Sequence, residues 1–431
     1  MSTAEHLATA GFQGGRSAPD SAVSVATLGA VAAVLLMYVS SSFQLADIFS
    51  AKRVVQIILI CPVGAVAAYF MVSRPSRLLD PLILFSFARM LTELALRARF
   101  SYVLDSVSAA LALLVIGGVS KRSFDIAGKV LVTTAGVFAL MALVQWLILI
   151  YSPDLNAYVL GPIDEGEHQD PVRHPIALLG LGLEHEYTLG GMTVGRMQSF
   201  AKEPSLNVAY FLLPASFAFM RNSGTSFVWG CVMLLYCVLS LSGSVFLACG
   251  FAVFWLLATR MISVRAAVPY GMLFVMAVYI AGLHSSALSI LSFFDYLSQY
   301  GDFLSKGKSA TSRGEGALTN SDAALTSPFG SDTTAEVPGP WLSNSALSAG
   351  WLGVVFLLWF LVRLGRELQG FYERSPPFGA QRFGCLLFFG VLATVLTFND
   401  YQMGNYVGLV LMAFVYRTAW LRNHSEATVQ A

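Results

Sequence analysis

The chain alternates long apolar runs with short polar breaks, and that rhythm predicts its architecture. Twelve runs stand out: Ala22–Phe43, Val54–Val72, Leu79–Leu96, Tyr102–Val119, Val130–Tyr151, Leu206–Met220, Phe227–Leu241, Val245–Ala258, Val268–Leu283, Ala346–Val362, Phe383–Phe398 and Tyr401–Tyr416. A bilayer-spanning helix needs roughly 20 mostly apolar residues, and fewer when its ends snorkel. The pattern therefore predicts an all-α fold, a polytopic transmembrane helical bundle of about 12 spans. The third run is the least regular because it carries Arg89 and Glu93, and only Ser242–Ser244 separates the seventh from the eighth. The organisation that follows is a polar tail over 1–21, a membrane domain over 22–420 and a second tail over 421–431.

Composition agrees with this pattern. Of 431 residues, 56% are hydrophobic and 12% charged, about half the charge of a soluble domain. The net charge of +1 gives no surface for nucleic acid. All five cysteines (Cys61, Cys231, Cys237, Cys249, Cys385) fall inside apolar runs, which argues against a disulfide framework. The first run is longer than a signal-peptide core, so the expectation is that it is retained.

Charge distribution orients the bundle. If the N-terminus is cytoplasmic, the inside collects fifteen basic residues: Arg16, Arg74, Arg77, Lys121, Arg122, Lys129, Arg221, Arg260, Arg265, Arg363, Arg366, Arg374, Arg382, Arg417 and Arg422. The short outside turns hold four, Lys52, Arg53, Arg97 and Arg99. By the positive-inside rule both termini are cytoplasmic. Two long polar segments, 152–205 and 284–344, then fall together on the outside. Structureless connections of that length are functional or disordered, and two on one face suggest a shared extracytoplasmic site. Within the second, Ile290, Leu291, Phe294 and Leu297 recur at helical spacing over Leu288–Leu304, as in a helix lying in the membrane interface.

Candidate chemistry concentrates at RMQSFAKEPS, Arg196–Ser205. Pro204 suits the first turn of a helix, so the sixth span is expected to start here with its free N–H groups facing an anion. Arg196 can hold a phosphate or carboxylate in a bidentate fork. Glu203 either complements the helix dipole and pairs with Arg196 or Lys202, or serves as a general base; both readings stand. Lys202 and Ser205 lie at the same helix start. In the second loop, Lys306, Lys308 and Arg313 precede the segment Gly314–Thr334, and Arg313 could join Arg196 in a clamp for a diphosphate. Arg89 and Glu93, at i and i+4, either pair with each other or face the site, since charges inside a membrane face a partner or a cavity. Asp105 has no obvious local partner. The loop histidines His168, His174, His185 and His284 show no metal-ligand spacing, so no metal and no cofactor is expected.

At RMQSFAKEPSLNVAYFLLP the chain resembles the bacterial polysaccharide polymerase and O-antigen ligase superfamily, the Wzy-type membrane proteins. Leu239–Phe254 resembles that family's Ser-rich segment between spans. Ser312–Asp332 resembles its arginine, apolar patch and Pro-x-Gly turn, and Trp341–Phe356 its return into the membrane. The resemblance covers about Val130 to Val362. It implies a GT-C-like bundle in the bacterial inner membrane, and a glycosyltransferase that uses an undecaprenyl-diphosphate-linked oligosaccharide as donor. The growing glycan would pass to a lipid-linked repeat unit during exopolysaccharide or O-antigen synthesis. Arg196, Glu203 and Arg313 would be catalytic, with Lys202, Ser205, Lys306, Lys308, Arg89 and Asn344 binding substrate. The bilayer is a partner, and the implied pathway leaves room for a flippase and a chain-length regulator. Ligases of the group carry a histidine before the asparagine of the last segment, whereas here Ser343 precedes Asn344. That departure favours a polymerase over a ligase that attaches glycan to lipid A–core. A non-enzymatic transporter or flippase is the more distant alternative.

Overall fold

The computed structural model describes residues 20–41, 52–73, 76–97, 100–151, 159–162, 173–175, 186–189, 192–195, 208–240, 243–258, 323–331, 341–377, 379–397 and 405–425. Among these the architecture is helical: α1 (Asp20–Ser41), α2 (Lys52–Ser73), α3 (Asp80–Thr92), α4 (Phe100–Gly118), α5 (Lys121–Tyr151), α6 (Leu213–Arg221), α7 (Gly224–Leu239), α8 (Gly243–Ala258), α9 (Trp341–Arg374), α10 (Ala380–Thr397) and α11 (Tyr406–Ser425). Eleven of the twelve apolar runs thus coincide with a helix; the ninth, Val268–Leu283, lies outside the described residues, as does Leu288–Leu304. Two helical stretches, Lys121–Val144 and Trp341–Arg374, are long and apolar enough to cross a membrane. Five shorter apolar ones accompany them: Val25–Tyr38, Gln56–Val72, Tyr102–Gly118, Gly224–Leu239 and Ala380–Leu396.

The middle of the bundle is set by α6 and α11. Every residue from Tyr210 to Met220 and from Tyr406 to Arg417 is buried, as expected of helices that are apolar all round. Phe414 of α11 stacks on Phe124 of α5, centroids 5.1 Å apart, and meets Phe217 of α6 edge-on at 5.4 Å. Around this knot α1 packs on α2 and α5, α3 on α4 and α9, and α10 on α6 and α8. Helix α10 approaches very closely: a Cβ on Gly384 would lie 2.6 Å from the carbonyl oxygen of Ser216. Small residues that let backbones touch are the usual basis of helix association in lipid.

Several expectations need correction. The third run is not one regular helix: α3 ends at Thr92 and Glu93–Arg97 forms a π-turn. The sixth run is also interrupted, with a π-turn at Val208–Leu212 before α6. Pro214 sits in the first turn of α6, and a proline interior to a regular helix would clash with the carbonyl four residues back; the widened turn ahead of it removes that conflict. The expected start of this helix at Pro204 lies outside the described residues. The tenth run is not an unbroken Ala346–Val362. Its helix begins at Trp341 and breaks at Gly350 (φ 66°, ψ 178°), so Asn344 is helical rather than the end of a loop. The twelfth is shifted, ending at Ser425 instead of Tyr416. Nor is 152–205 wholly without structure. It contains two antiparallel pairs, β1 (Val159–Pro162) with β2 (Arg173–Pro175) and β3 (Glu186–Leu189) with β4 (Met192–Gly195). In the second pair Glu186 faces Gly195 and Leu189 faces Met192.

Candidate functional site

The structure gathers three of the ionisable residues singled out above at one end of α3 and α4. Arg89 lies on the last turn of α3, 5% exposed, and Glu93 opens the following π-turn at 1%. Asp105 lies one turn into α4. Arg89 Nη1 donates to Asp105 Oδ2 at 3.4 Å, and its guanidinium lies 5.9 Å from the ring centre of Tyr102. Asp105 therefore has a partner after all, on a different helix, where sequence spacing could not show it. Its carboxylate also accepts a hydrogen bond from the backbone N–H of Tyr406, the first residue of α11. Helix starts leave such N–H groups without an intrahelical partner, and a carboxylate there complements the dipole. The Tyr406 hydroxyl in turn donates to the Ala33 carbonyl at 2.7 Å. One acid thus ties α3, α4 and α11 together, and Tyr406 adds α1.

Beside this cluster the break in α9 is filled by another part of the chain. Residues 323–326 form one helical turn, and Ser327–Gly330 a β-turn closed by Gly330 N–H donating to Ser327 O at 3.0 Å. Pro328 and Gly330 occupy the second and fourth turn positions, where they are favoured. Ser331 N–H donates to Leu347 O at 3.0 Å, Trp351 N–H to Pro328 O at 2.9 Å, and the Trp351 indole to Ala324 O at 3.0 Å. Thr92 Oγ1 reaches Phe329 O at 3.5 Å. Close approach makes glycine necessary on both sides: a Cβ on Gly330 would lie 2.6 Å from Thr92 Cγ2, and one on Gly350 3.0 Å from Pro328 O. The turn anticipated as Pro-x-Gly is therefore a docked element of the bundle, not free loop.

Of the other candidates, Asn344 is half-buried on the short half of α9. Arg196, Lys202, Glu203, Ser205, Lys306, Lys308 and Arg313 lie outside the described residues, although β4 ends at Gly195, one residue before Arg196. Thr92, Gly350, Trp351 and the Tyr406 N–H were not anticipated. Gly350 in an apolar run reads as a tolerated glycine, and nothing local signals that Thr92 will face a turn 237 positions away. Among the described residues no group of His, Cys, Asp and Glu could hold a metal. Chemically, the arrangement can fix helix ends and present a partly open carboxylate, 26% exposed at Asp105.

No protein-family model matches the chain, and a search of curated proteins finds no match.

Proposed function

We propose that the chain is a multi-pass membrane glycosyltransferase that polymerises lipid-linked sugar repeats on the outer face of a bacterial inner membrane. The observation that carries this reading is the distribution of polarity. Along 351–362 of α9 the exposed side chains are Trp351, Leu352, Val355, Leu358, Trp359 and Val362, whereas the exposed residues of its last turns are polar, and similar apolar faces lie exposed on α2, α3, α5 and α7. Apolar surface on that scale is foreign to a soluble monomer and suits lipid. Basic residues assigned to the cytoplasmic side meet at one end: Arg221 with Asp125 of α5, Arg417 with Val119 after α4, and Arg374 with Asn423 of α11. The Arg89 cluster and the docked turn lie at the other end of those helices. Buried charge in a span is costly and tends to mark function.

The chemistry comes from the resemblance. An acceptor hydroxyl on one lipid-linked unit attacks C1 of the donor sugar; a new C1–O bond forms, the bond from C1 to the phosphate oxygen breaks, and undecaprenyl diphosphate leaves. In this reading Arg196 and Arg313 hold the diphosphate and offset its growing charge. Glu203 orients Arg196 or takes the hydroxyl proton. The half-buried Asn344 faces the same end and contacts the acceptor, and Arg89 acts through Asp105. Replacing Arg196 with Ala or Lys is expected to remove high-molecular-weight polymer from cells at normal protein level; polymer of normal length in both variants would sink the assignment. Glu203→Gln separates its two roles, since a base is lost but a hydrogen-bond acceptor is kept.

A second reading, a non-enzymatic transporter or flippase, is favoured by one feature. A discontinuous helix beside buried charges is also how many transporters build their sites. Accumulation of unpolymerised lipid-linked units on the outer leaflet of a deletion strain supports the polymerase; accumulation on the inner leaflet supports the flippase.

A further inference from the structure

An unbroken helix joins the N–H of each residue to the carbonyl four positions back. In α9 that rule would pair Trp351 N–H with Leu347 O. The break at Gly350 separates them, and the Ser327–Ser331 turn takes both: Ser331 N–H fills the carbonyl and Pro328 O accepts the N–H. Within 341–374 Gly350 alone has non-helical angles. Its φ of 66° with ψ of 178° belongs to a region essentially restricted to glycine. Glycine also enters the helical region freely. One rotation at one residue would therefore let Trp351 N–H return to Leu347 O. The groups released on the turn, Ser331 N–H and Pro328 O, belong to a segment whose tip is open, with Phe329 81% and Leu325 67% exposed.

We propose that the Ser327–Ser331 turn is a latch on α9 and Gly350 its hinge. With the turn docked, α9 is broken; with the turn released, α9 is continuous. The short half of α9, Trp341–Ala349, swings between the two forms and carries Asn344 with it. Thr92 is the fixed wall against which the latch closes, since Gly330 fits only because no Cβ meets Thr92 Cγ2 and Leu347 O. Two discrete packings separated by one hinge residue are a recognised basis for switching. The inference concerns the bundle itself and stands whether the protein is a transferase or a transporter.

The test is residue-level hydrogen exchange on the full chain in lipid nanodiscs. Trp351 N–H is hydrogen-bonded in both forms and Ser331 N–H in only one, so in the unaltered protein Trp351 should be better protected, by roughly tenfold or more. Gly350→Ala denies the hinge its broken geometry, and Gly330→Ala pushes the latch off Thr92 and Leu347. Both should strip protection from Ser331 while leaving Trp351 protected, with α11 amides such as Val410 unchanged. Equal protection of Ser331 and Trp351 in the unaltered protein would overturn the proposal, because the break would then open as one unit. So would joint loss at both amides in the variants, or a Ser331 amide that stays protected in both.

Discussion

The two ends of the bundle use arginine in opposite ways. At the basic end, arginines finish on fixed acceptors and ring faces. Arg221 donates to Asp125 O at 3.0 Å, Arg382 to Ser375 O at 2.7 Å, and Arg417 bonds Val119 O while lying 4.8 Å from the centre of the Phe124 ring. Arg382 and Arg417 meet carbonyls just past the C-terminal ends of α9 and α4, where partial negative charge gathers, while Arg221 ties α6 to the first turns of α5. At the opposite end Arg89 meets a carboxylate that itself serves a helix N-terminus, next to a π-turn and a broken helix. The first end is regular and closed on itself. The second departs from regular helix twice within a few residues of its charges, and such departures cluster at functional positions. The same side chain therefore reads as an anchor in one setting and as part of a site in the other.

That contrast can be broken or sharpened by substitution. The largest effect is expected at Arg196, where alanine should lower elongation by about 10²–10³-fold if the residue stabilises leaving-group charge; initial rates with a lipid-linked acceptor measure it. Next comes Arg89→Ala, which strands Asp105 without its cation. Losing one partner of a largely buried pair should cost roughly 2–4 kcal/mol, read as a lowered midpoint of thermal unfolding in detergent. Because α11 would also lose its cap geometry, Arg89→Ala with Asp105→Asn should recover part of the loss. At the basic end Arg417→Met, similar in volume and apolar, leaves the Val119 carbonyl unpaired and should cost about 1–3 kcal/mol while leaving polymer length unchanged. The smallest effect belongs to Arg382→Ala, within about 1 kcal/mol. Should Arg417 rather than Arg89 control polymer length, the two ends have been assigned the wrong roles.

The helices were legible because apolar runs of membrane length leave few alternatives, and α5 and α9 illustrate it. What the sequence left open was pairing at a distance. Arg89 stood four residues from Glu93, and sixteen from the Asp105 it meets. A window of one helix cannot see a partner on the next. The break at Gly350 was hidden for a related reason: a glycine in an apolar run costs little either way, and only the turn from 327–331 decides its geometry. Pro214 was visible but unused, although a proline eight residues into the run Leu206–Met220 required a local change such as the π-turn at Val208–Leu212. Of the candidate site, Arg89 and Asn344 lie on α3 and α9, and the residues around Arg196 and Arg313 lie outside the described residues.

The most direct test of the central claim uses purified protein in proteoliposomes supplied with undecaprenyl-diphosphate-linked repeat units and no ion gradient. A polymerase yields a ladder of lengthening glycan with release of undecaprenyl diphosphate, lost in the Arg196→Ala protein. Repeat units that remain single, or a ladder equally strong in the Arg196→Ala protein, would contradict that claim.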